Sequence, residues 1–160
     1  MIIGHELLNG RSGHDAGRQL LAQLYRDHFG DELPDILLTP RGKPYFSTGN
    51  VHFSISHTKN HVFCVLADKA VGIDADELSR CVNLKLAQKI LSPGELTQFE
   101  GAEDKNTALL TFWVLKEAAA KRSGAGLQGF PNHTRFSPDD PRVQQLSGCY
   151  LAVLTSLEGE

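Results

Sequence analysis

The most informative segment of the chain is residues 104–123, DKNTALLTFWVLKEAAAKRS. Its large apolar residues nearly encircle a helix; they are Leu109, Leu110, Phe112, Trp113, Val114 and Leu115. A surface helix carries apolar residues on one face only, whereas a helix that is apolar on most sides is buried. The glycines of Gly124-Ala-Gly126 end the pattern. The segment therefore predicts a long helix at the centre of the fold.

Upstream of this helix, three apolar stretches predict consecutive strands. Residues 51–56, Val-His-Phe-Ser-Ile-Ser, alternate between apolar and polar side chains, which is the pattern of a half-buried strand. Residues 62–67 are almost continuously apolar, and residues 70–75 follow after a two-residue polar turn. Stretches at this spacing predict an antiparallel meander.

The remaining elements are shorter or carry weaker patterns. Apolar spacing predicts a strand over residues 2–8 and an amphipathic helix over residues 15–29 that Gly30 ends. Residues 31–45 are rich in proline and glycine, so we expect a loop there with a short strand over residues 36–38. Further elements are expected at residues 84–91 (a short helix), 92–99 (a helix opened by the capping box Ser92-Pro-Gly-Glu95), 133–136 and 149–155 (short strands). Helices combined with antiparallel strands predict the α+β class.

Composition and charge limit the classes of function. The chain has 160 residues, of which 41% are apolar and 22% are charged, the balance of a soluble globular protein. Its formal net charge is −3, so no positive field holds nucleic acid or an anionic membrane surface without a specific site. We therefore expect neither a nucleic acid nor a membrane as partner.

The cysteines and the N-terminus predict a cytoplasmic protein. Cys64, Cys81 and Cys149 are odd in number and form no Cys-x-x-Cys pair, which argues against a disulfide framework or a zinc site. Cys64 and Cys149 lie in apolar runs and are expected to be buried side chains. Residues 1–8 lack the basic start and the apolar length of a signal peptide.

Two aspartates predict an acidic site at a strand end. Asp74 and Asp76 are two positions apart on the predicted third strand, so both carboxylates point to the same face. Two such charges repel each other unless a cation lies between them. The plain alternative is a strand that leaves the core through an exposed polar turn. Glu77 fits either a third ligand or a solvent-exposed position.

The long helix carries a second candidate group, Lys116-Glu-Ala-Ala-Ala-Lys121. Glu117 and Lys121 are four residues apart and would form an ordinary ion pair on a helix surface. Lys116 and Glu117 directly follow an apolar run, however, which favours a partly buried pair over a solvated one, and a buried carboxylate needs a partner or a metal. Carboxylates together with water and phosphate oxygens select a hard cation such as Mg²⁺.

Basic and polar residues elsewhere are candidate contacts for an anion. Ser56-His57 ends the alternating stretch, and Arg18 and Lys121 lie on predicted helices. Gly42-Lys43-Pro44 predicts a rigid turn that would present Lys43 and its backbone to a ligand. Each of these residues taken alone is better explained as an ordinary surface residue.

Three ordered motifs resemble the signatures of the 4′-phosphopantetheinyl transferases. They are Phe53-Ser-Ile-Ser-His57, Val71-Gly-Ile-Asp-Ala-Asp76 and the stretch from Phe112 to Leu127, FWVLKEAAAKRSGAGL. Gly42-Lys43-Pro44 matches a further motif that the family places before the first of these. The combination, spread over about residues 15–155, is more specific than any single motif. It resembles the pseudo-dimeric, surfactin-synthetase-activating branch of the family.

This resemblance implies a reaction and a set of site residues. Such enzymes transfer the 4′-phosphopantetheine group of coenzyme A to a serine of an acyl or peptidyl carrier protein and release adenosine 3′,5′-bisphosphate. By the family's pattern, Asp74, Asp76 and Glu117 bind Mg²⁺. Glu117 accepts the serine proton directly or through water, and Lys121 stabilises charge on the departing phosphate. The implied 3′-phosphate contacts are Arg18, Ser56 and His57, and the implied adenine and ribose contacts are Gly42, Lys43 and Pro44.

The chain departs from the family's pattern at three places. Asp76 stands where Glu is more frequent, so its carboxylate reaches one methylene less and would contact the metal through water. Thr58 replaces a frequent Ser. The basic stretch that longer relatives place before Arg18 is absent, so we expect weaker binding of the 3′-phosphate. Arg11 and His14 would either substitute for it or be simply solvated.

The resemblance also implies an architecture. We expect two similar α+β subdomains, residues 1–67 and 68–160, each with a helix against a small antiparallel sheet and with coenzyme A in the cleft between them. Because the chain supplies both halves, we expect a monomer rather than a homotrimer. Two other functions stay open: a Mg²⁺-dependent enzyme acting on other phosphate esters, and a paralogue that binds a carrier protein or coenzyme A without turnover.

Overall fold

Two three-stranded antiparallel sheets, each packed against one long helix, dominate the computed structural model, which describes residues 1–126 and 134–155. The strands are β1 (Ile2–Leu7), β2 (Ile36–Leu38), β3 (Pro44–Phe46), β4 (His52–His57), β5 (His61–Ala67), β6 (Val71–Glu77), β7 (Val143–Leu146) and β8 (Cys149–Thr155). The helices are α1 (Gly13–Phe29), α2 (Ala87–Ile90), α3 (Pro93–Gly101) and α4 (Lys105–Ser123), with a 3₁₀ turn at Leu84–Leu86. This combination confirms the predicted α+β class.

The first sheet has the strand order β1-β5-β4 and packs against α1. Helix α1 begins after Ser12, whose hydroxyl accepts a hydrogen bond from the Asp15 amide, and ends at Gly30 in the left-handed conformation. Its side chains Leu20 and Leu21 are buried in one cluster with residues of β4 and β5. The helix and the first strand are thus confirmed, with small shifts at their ends.

The second sheet has the strand order β6-β8-β7, and α4 packs across it. Helix α4 is buried on most sides, including Leu110 and Phe112, as its apolar sequence predicts. It lies so close to β6 that a Cβ added at Gly72 would come within 1.9 Å of the Ala118 carbonyl oxygen. Gly72 therefore sets the approach of α4 to the strand that carries Asp74.

Strand β6 departs from the predicted meander, and that prediction is wrong. Strands β4 and β5 pair with each other, but β6 pairs with β8. Two amides of β6 are bound by side chains of β4 instead. Ser54 Oγ accepts from Ile73 N at 3.1 Å, and Ser56 Oγ accepts from Ala75 N at 3.1 Å. The polar face of β4 is therefore buried against β6, so β4 is not the half-exposed strand that its alternation predicts.

The two sheets also share an apolar cluster. It contains Phe63 of β5, Ile73 of β6 and Leu151 of β8, all buried. The chain passes from the first sheet to the second at the turn between β5 and β6. We propose the boundary between subdomains of residues 1–67 and 68–160 at this turn.

Two further strand predictions differ from the structure. Pro44 and Tyr45, predicted as loop, form β3 together with Phe46 and pair with β2. Thr134 to Phe136 form no strand, and His133 lies outside the described residues. Glu95 Oε1 accepts hydrogen bonds from Thr134 Oγ1 and Phe136 N, so a side chain holds this segment instead of a sheet. The second sheet uses β7, whose mostly exposed side chains give no apolar pattern.

The short helices follow their predicted positions. Ser92 and Glu95 form the predicted capping box, in which Glu95 N donates to Ser92 Oγ at 3.4 Å and Ser92 N donates to Glu95 Oε2 at 2.9 Å. None of the helices in the described part of the chain has both the length and the apolar character needed to cross a membrane.

The predicted burial of Cys64 and Cys149 is confirmed. All three cysteines are free, with Cys64 and Cys149 buried and Cys81 exposed. Burial raises the pKa of the Cys64 thiol to about 12, so this thiol stays protonated and unreactive at neutral pH.

Candidate active site

A buried carboxylate lies where β6 passes against α4. Asp74 Oδ1 accepts hydrogen bonds from Ser56 Oγ at 3.0 Å and from Lys121 Nζ at 2.7 Å. Burial raises the pKa of Asp74, and the Lys121 ammonium opposes that rise. The second oxygen, Oδ2, accepts no hydrogen bond from the described residues. Asp74 therefore keeps one oxygen available for a ligand.

Glu117 does not form the helix-surface ion pair that its spacing from Lys121 allows. Lys121 Nζ binds Asp74 instead, and the half-buried Glu117 carboxylate makes no hydrogen bond within residues 1–126 and 134–155. Burial and the charge of Asp74 raise the pKa of Glu117 to about 6, although Lys121 lowers it. Burying a carboxylate without hydrogen-bond donors costs stability, which favours a functional interpretation of this residue.

Asp76 is held by the residues that follow it. Its Oδ1 accepts a hydrogen bond from the Glu77 amide at 3.0 Å, and its Oδ2 binds the Arg80 guanidinium. That guanidinium also lies over the Trp113 ring, 5.7 Å from the ring centroid. Asp76 and Asp74 line one cleft, as their two-residue spacing predicts, but each carboxylate binds a different cation.

Glu77, which the sequence left between two interpretations, anchors the turn between β4 and β5. Its Oε1 accepts hydrogen bonds from Thr58 Oγ1 at 3.0 Å, Asn60 N at 3.1 Å and Asn60 Nδ2 at 2.9 Å. Three donors on one oxygen give Glu77 a structural role at the turn next to His57. It is not the freely solvated side chain of the plain interpretation.

Two clefts meet at Glu117. The first, which we call the basic cleft, has a volume of about 350 Å³ and is lined by Arg41, Gly42, Lys43, Pro44, Phe53, Ser54, Ile55, Glu117, Ala120, Lys121, Gly124 and Gly126. The second, which we call the acidic cleft, has a volume of about 560 Å³ and is lined by His57, Thr58, Lys59, Asp74, Ala75, Asp76, Glu77, Arg80, Trp113 and Glu117. Glu117 belongs to both linings, so its carboxylate can contact a ligand that extends across the two clefts.

The predicted turn Gly42-Lys43-Pro44 lines the basic cleft. Gly42 has a φ of 83°, a conformation that L side chains rarely adopt. The Lys43 side chain crosses the C-terminal end of α4, where its ammonium donates to the Arg122 carbonyl oxygen and its methylenes lie beside Gly124. Burial and the nearby Arg122 charge lower the pKa of Lys43. Lys43 thus caps α4 and also forms part of the cleft wall.

The three residues implied as 3′-phosphate contacts lie in different surroundings. Ser56 is buried, and its hydroxyl is used by Asp74 and by a β6 amide. His57 lines the acidic cleft, and its ring packs so closely on Gly13 that a Cβ there would come within 2.3 Å. Because Gly13 begins α1, His57 lies beside a helix N-terminus. Arg18, further along α1, belongs to the lining of neither cleft.

Sequence reasoning missed a buried ion pair close to the site. Lys116 Nζ lies 2.8 Å from Glu95 Oε2, and both side chains are almost completely inaccessible. The available signal was the position of Lys116 directly after an apolar run. Its partner could not be identified, because the capping box already explains why a glutamate stands at position 95. Arg80 and Trp113 were missed as well, because neither carries a pattern until the fold places it in the acidic cleft.

The three candidate metal ligands share a cleft without forming a closed ligand set. Asp74, Asp76 and Glu117 line the acidic cleft, but no three His, Cys, Asp or Glu side chains among the described residues are arranged to hold a metal ion. Oxygen donors are the type that Mg²⁺ prefers, and Asp74 Oδ2 and the Glu117 carboxylate have no hydrogen-bond donor in the described part of the chain. The residues therefore fit a hard cation in their chemistry, while side-chain cations neutralise the two aspartates.

Comparison with known families adds to this geometry. Residues 70–154 match the sequence profile of the 4′-phosphopantetheinyl transferase superfamily. The match extends over more than half of the chain and includes both aspartates of β6 and the Glu117–Lys121 segment of α4. The chain belongs to this superfamily. The resemblance of its motifs is confirmed, and its α+β architecture agrees with that of the superfamily.

Curated relatives carry the same family name. The 4′-phosphopantetheinyl transferase of Bacillus subtilis is 28% identical over 89 residues, which are 54% of this chain and 39% of the relative. The 4′-phosphopantetheinyl transferase psf-1 of Bacillus pumilus is 28% identical over 144 residues, which are 82% of this chain and 61% of the relative. A putative 4′-phosphopantetheinyl transferase of Haemophilus influenzae is 30% identical over 117 residues, which are 69% of this chain and 49% of the relative. The superfamily member described here thus spans about half the length of these relatives.

Proposed function

We propose that this superfamily member transfers the 4′-phosphopantetheine group of coenzyme A to a serine of an acyl or peptidyl carrier protein and releases adenosine 3′,5′-bisphosphate. The observation that carries the proposal is Glu117, a half-buried carboxylate whose pKa is raised to about 6 where the basic and acidic clefts meet. A general base works best when its pKa lies near the operating pH and its oxygens can reach the proton. Glu117 combines these two properties.

Glu117 and Lys121 have separate roles in the proposed reaction. The serine oxygen of the carrier forms a bond to the phosphorus of the phosphopantetheine group, and the bond from that phosphorus to the bridging oxygen of coenzyme A breaks. Glu117 takes the serine proton. Lys121, which Asp74 holds at 2.7 Å, lies one turn further along α4 and lines the basic cleft, where its charge stabilises the departing bisphosphate.

The basic cleft is the proposed site of the adenosine end of coenzyme A. Its volume of about 350 Å³ falls within the range of small-molecule sites, roughly 300–1,000 Å³. Arg41 and Lys43 supply positive charge, and Phe53 and Ile55 supply apolar contact. Gly42, Lys43 and Pro44 are accordingly the proposed adenine and ribose contacts.

The acidic cleft is the proposed Mg²⁺ site. Asp74, Asp76 and Glu117 would hold the ion, with the shorter Asp76 side chain contacting it through water. Bound there, Mg²⁺ supplies positive charge that neutralises the pyrophosphate of coenzyme A. The support for this assignment is the shared cleft together with Asp74 Oδ2, which accepts no hydrogen bond from residues 1–126 and 134–155.

The 3′-phosphate contact that the geometry supports best is His57. Its ring lies against Gly13 at the start of α1, and a helix N-terminus attracts an anion through its free amides and its dipole. Ser56 has its hydroxyl committed to Asp74, so its proposed role is to orient that carboxylate. Arg18 contributes positive charge at longer range.

Mass spectrometry of apo-carrier proteins tests the proposal. Carriers of fatty-acid, polyketide and peptide synthesis are incubated with the protein, coenzyme A and Mg²⁺. We expect at least one of them to gain phosphopantetheine on its serine, with release of one bisphosphate per transfer. Carriers with that serine replaced by Ala, samples with EDTA and the Glu117→Gln variant serve as controls and should show no or much slower modification.

Other outcomes of the same experiment would replace the proposal. Release of inorganic phosphate from phosphate esters, with every carrier unmodified, would indicate a Mg²⁺-dependent phosphohydrolase. Binding of coenzyme A or a carrier without transfer would indicate a non-catalytic paralogue. The carrier that is modified would distinguish a holo-acyl-carrier-protein synthase from an activator of peptide synthetases. The monomeric state and cytoplasmic location that we propose are tested by light scattering and by fractionation.

A further inference from the structure

Arg80 places a positive charge inside the acidic cleft, against one of the proposed metal ligands. Its guanidinium binds Asp76 Oδ2, and it lies over the Trp113 ring at 5.7 Å from the centroid. The Asp76 side chain is 11% exposed, whereas the Arg80 side chain is 45% exposed. The cation can therefore leave for solvent while the carboxylate stays in place.

The backbone of Arg80 is fixed independently of its side chain. Arg80 N donates to the Glu77 carbonyl oxygen at 3.0 Å, and Asn106 Nδ2 donates to the Arg80 carbonyl oxygen at 2.9 Å. Neither bond involves the guanidinium. Loss of the ion pair with Asp76 would thus need only a change of side-chain rotamer.

The two aspartates of β6 differ in how firmly their cations are held. The Lys121 side chain is 32% exposed, projects from α4 and binds an Asp74 oxygen that Ser56 also binds. Arg80 lies after the end of β6 and lines the acidic cleft, and its side chain is more exposed than that of Lys121. A divalent ion that needs both aspartates must compete with each of these cations, and the more exposed Arg80 is easier to displace because water can solvate it and no second side chain among the described residues shares its bond to Asp76.

We propose that Arg80 is an exchangeable counter-ion of the metal site: its guanidinium neutralises Asp76 when no divalent ion is bound, and an entering divalent ion displaces it from Asp76 and from the Trp113 ring. This inference rests on the proposed Mg²⁺ site and adds to it a residue that sets the affinity for the ion. No covalent bond changes in the exchange. One cation replaces another at the same carboxylate.

The exchange has a built-in optical reporter. Trp113 is the single tryptophan of the chain, and a guanidinium over an indole ring perturbs its electronic environment. Displacement of Arg80 by Mg²⁺ would therefore change the fluorescence of Trp113 in the wild-type protein. A variant without the guanidinium has nothing to displace, so its fluorescence would respond much less.

The test compares divalent-ion binding by wild type, Arg80→Gln and Arg142→Gln. Arg142 is a matched control because it also pairs with an aspartate, Asp140, at 2.7 Å and lies over an aromatic ring, Phe136, at 5.4 Å, outside both clefts. Binding of Mn²⁺ is measured by electron paramagnetic resonance of the free ion, and Trp113 fluorescence is recorded during a Mg²⁺ titration. Circular dichroism establishes that each variant is folded.

We expect Arg80→Gln to bind Mn²⁺ about 3- to 10-fold more tightly than wild type, the scale of removing one competing charge at a partly exposed site. Arg142→Gln should match wild type in both measurements. Equal or weaker Mn²⁺ binding by Arg80→Gln, or an unchanged Trp113 response to Mg²⁺ in that variant, would overturn the exchange and leave the Mg²⁺ site standing. Absence of Mn²⁺ binding in the wild-type protein would instead overturn the proposed metal site, and the exchange with it.

Discussion

Lys121 Nζ lies 2.7 Å from Asp74 Oδ1 and so joins α4 to β6 at the point where the two clefts meet. The same lysine has Glu117 one turn before it on the helix, but no hydrogen bond joins the two side chains. Burial and the charge of Asp74 leave Glu117 with a raised pKa, while the buried carboxylate of the sheet receives the cation. Spacing alone predicts an ordinary ion pair between Glu117 and Lys121. That pair does not form, because β6 brings Asp74 next to Lys121.

Glu117→Gln separates the catalytic from the structural interpretation of this residue. Glutamine keeps the size and helix propensity of the side chain but cannot accept the serine proton. We expect kcat to fall by roughly 10²-fold or more, the scale of losing a general base, with the melting temperature at pH 7 unchanged or raised. Full turnover of a competent carrier by this variant would remove Glu117 from the mechanism.

The pH dependence of activity and of stability should run in opposite directions. Because the pKa of Glu117 is raised from 4.5 to about 6 in the folded protein, activity should fall as the pH drops through about 6. The folded state binds this proton more tightly than the unfolded state, so the contribution of Glu117 to stability worsens as the pH rises from about 4.5 to 6. Melting temperatures of wild type and Glu117→Gln should therefore converge toward pH 4.5. Divergence at low pH would contradict the raised pKa.

His57→Ala should weaken the binding of coenzyme A more than the chemical step. Loss of a charge-assisted hydrogen bond to the 3′-phosphate should raise KM for coenzyme A about 10-fold and change kcat little. The matched substrate is 3′-dephospho-coenzyme A, on which wild type and variant should perform alike. If the variant loses as much activity on that substrate as on coenzyme A, His57 has another role.

Gly72→Ala tests the close approach of α4 to β6. The added methyl group would meet the Ala118 carbonyl oxygen at 1.9 Å, so α4 must shift. We expect a loss of about 2–3 kcal/mol in the free energy of unfolding, the upper range for overpacking. Gly94→Ala is the control, because no atom lies within 4 Å of its added Cβ in α3, and alanine favours a helix by about 0.5–1 kcal/mol. Urea denaturation of both variants gives the comparison.

Lys116 and Glu95 should show strong coupling, since they form a fully buried ion pair. Lys116→Met leaves a buried carboxylate without its cation, and Glu95→Gln leaves a buried ammonium without its anion. Each single substitution should cost about 3–5 kcal/mol of unfolding free energy. The double variant carries no buried charge, so it should cost less than the sum by about 2–3 kcal/mol. Additive losses in a double-mutant cycle would show that the two charges do not depend on each other.

The elements that local patterns determine were predictable from the sequence. Helix α4 and the capping box of α3 depend on residues within one element, and both are confirmed. The partner of β6 was not predictable from the sequence. The apolar pattern of β5, the preceding strand, fits a partner as well as the pattern of β8, which follows some seventy residues later and is the actual partner. The alternation of β4 was misread for a related reason. Its polar face predicts exposure, and only the tertiary fold shows that Ser54 and Ser56 bind amides of another strand.

The candidate site divides in the same way. Asp74, Asp76 and Glu117 could be singled out because carboxylates near apolar runs need partners, and the fold places them in one cleft. Their cations could not be assigned, because the spacing of Glu117 and Lys121 favours a local pair and nothing local connects Lys121 to Asp74. The same limit applied to Arg80, whose contact with Trp113 joins residues that are far apart in the chain.

Part of the contact between β4 and β6 depends on side chains rather than on the main chain, because serine hydroxyls of β4 bind the amides of Ile73 and Ala75. Where main-chain atoms pair two strands, as in β6 with β8, a change of side chain leaves the hydrogen bonds intact. At Ser54 and Ser56, by contrast, a single substitution can remove the acceptor and leave an amide nineteen positions away in the sequence without its hydrogen bond. Point mutations at Ser54 or Ser56 can therefore weaken or restore the attachment of β6 to β4 on either side of Asp74, one hydrogen bond at a time.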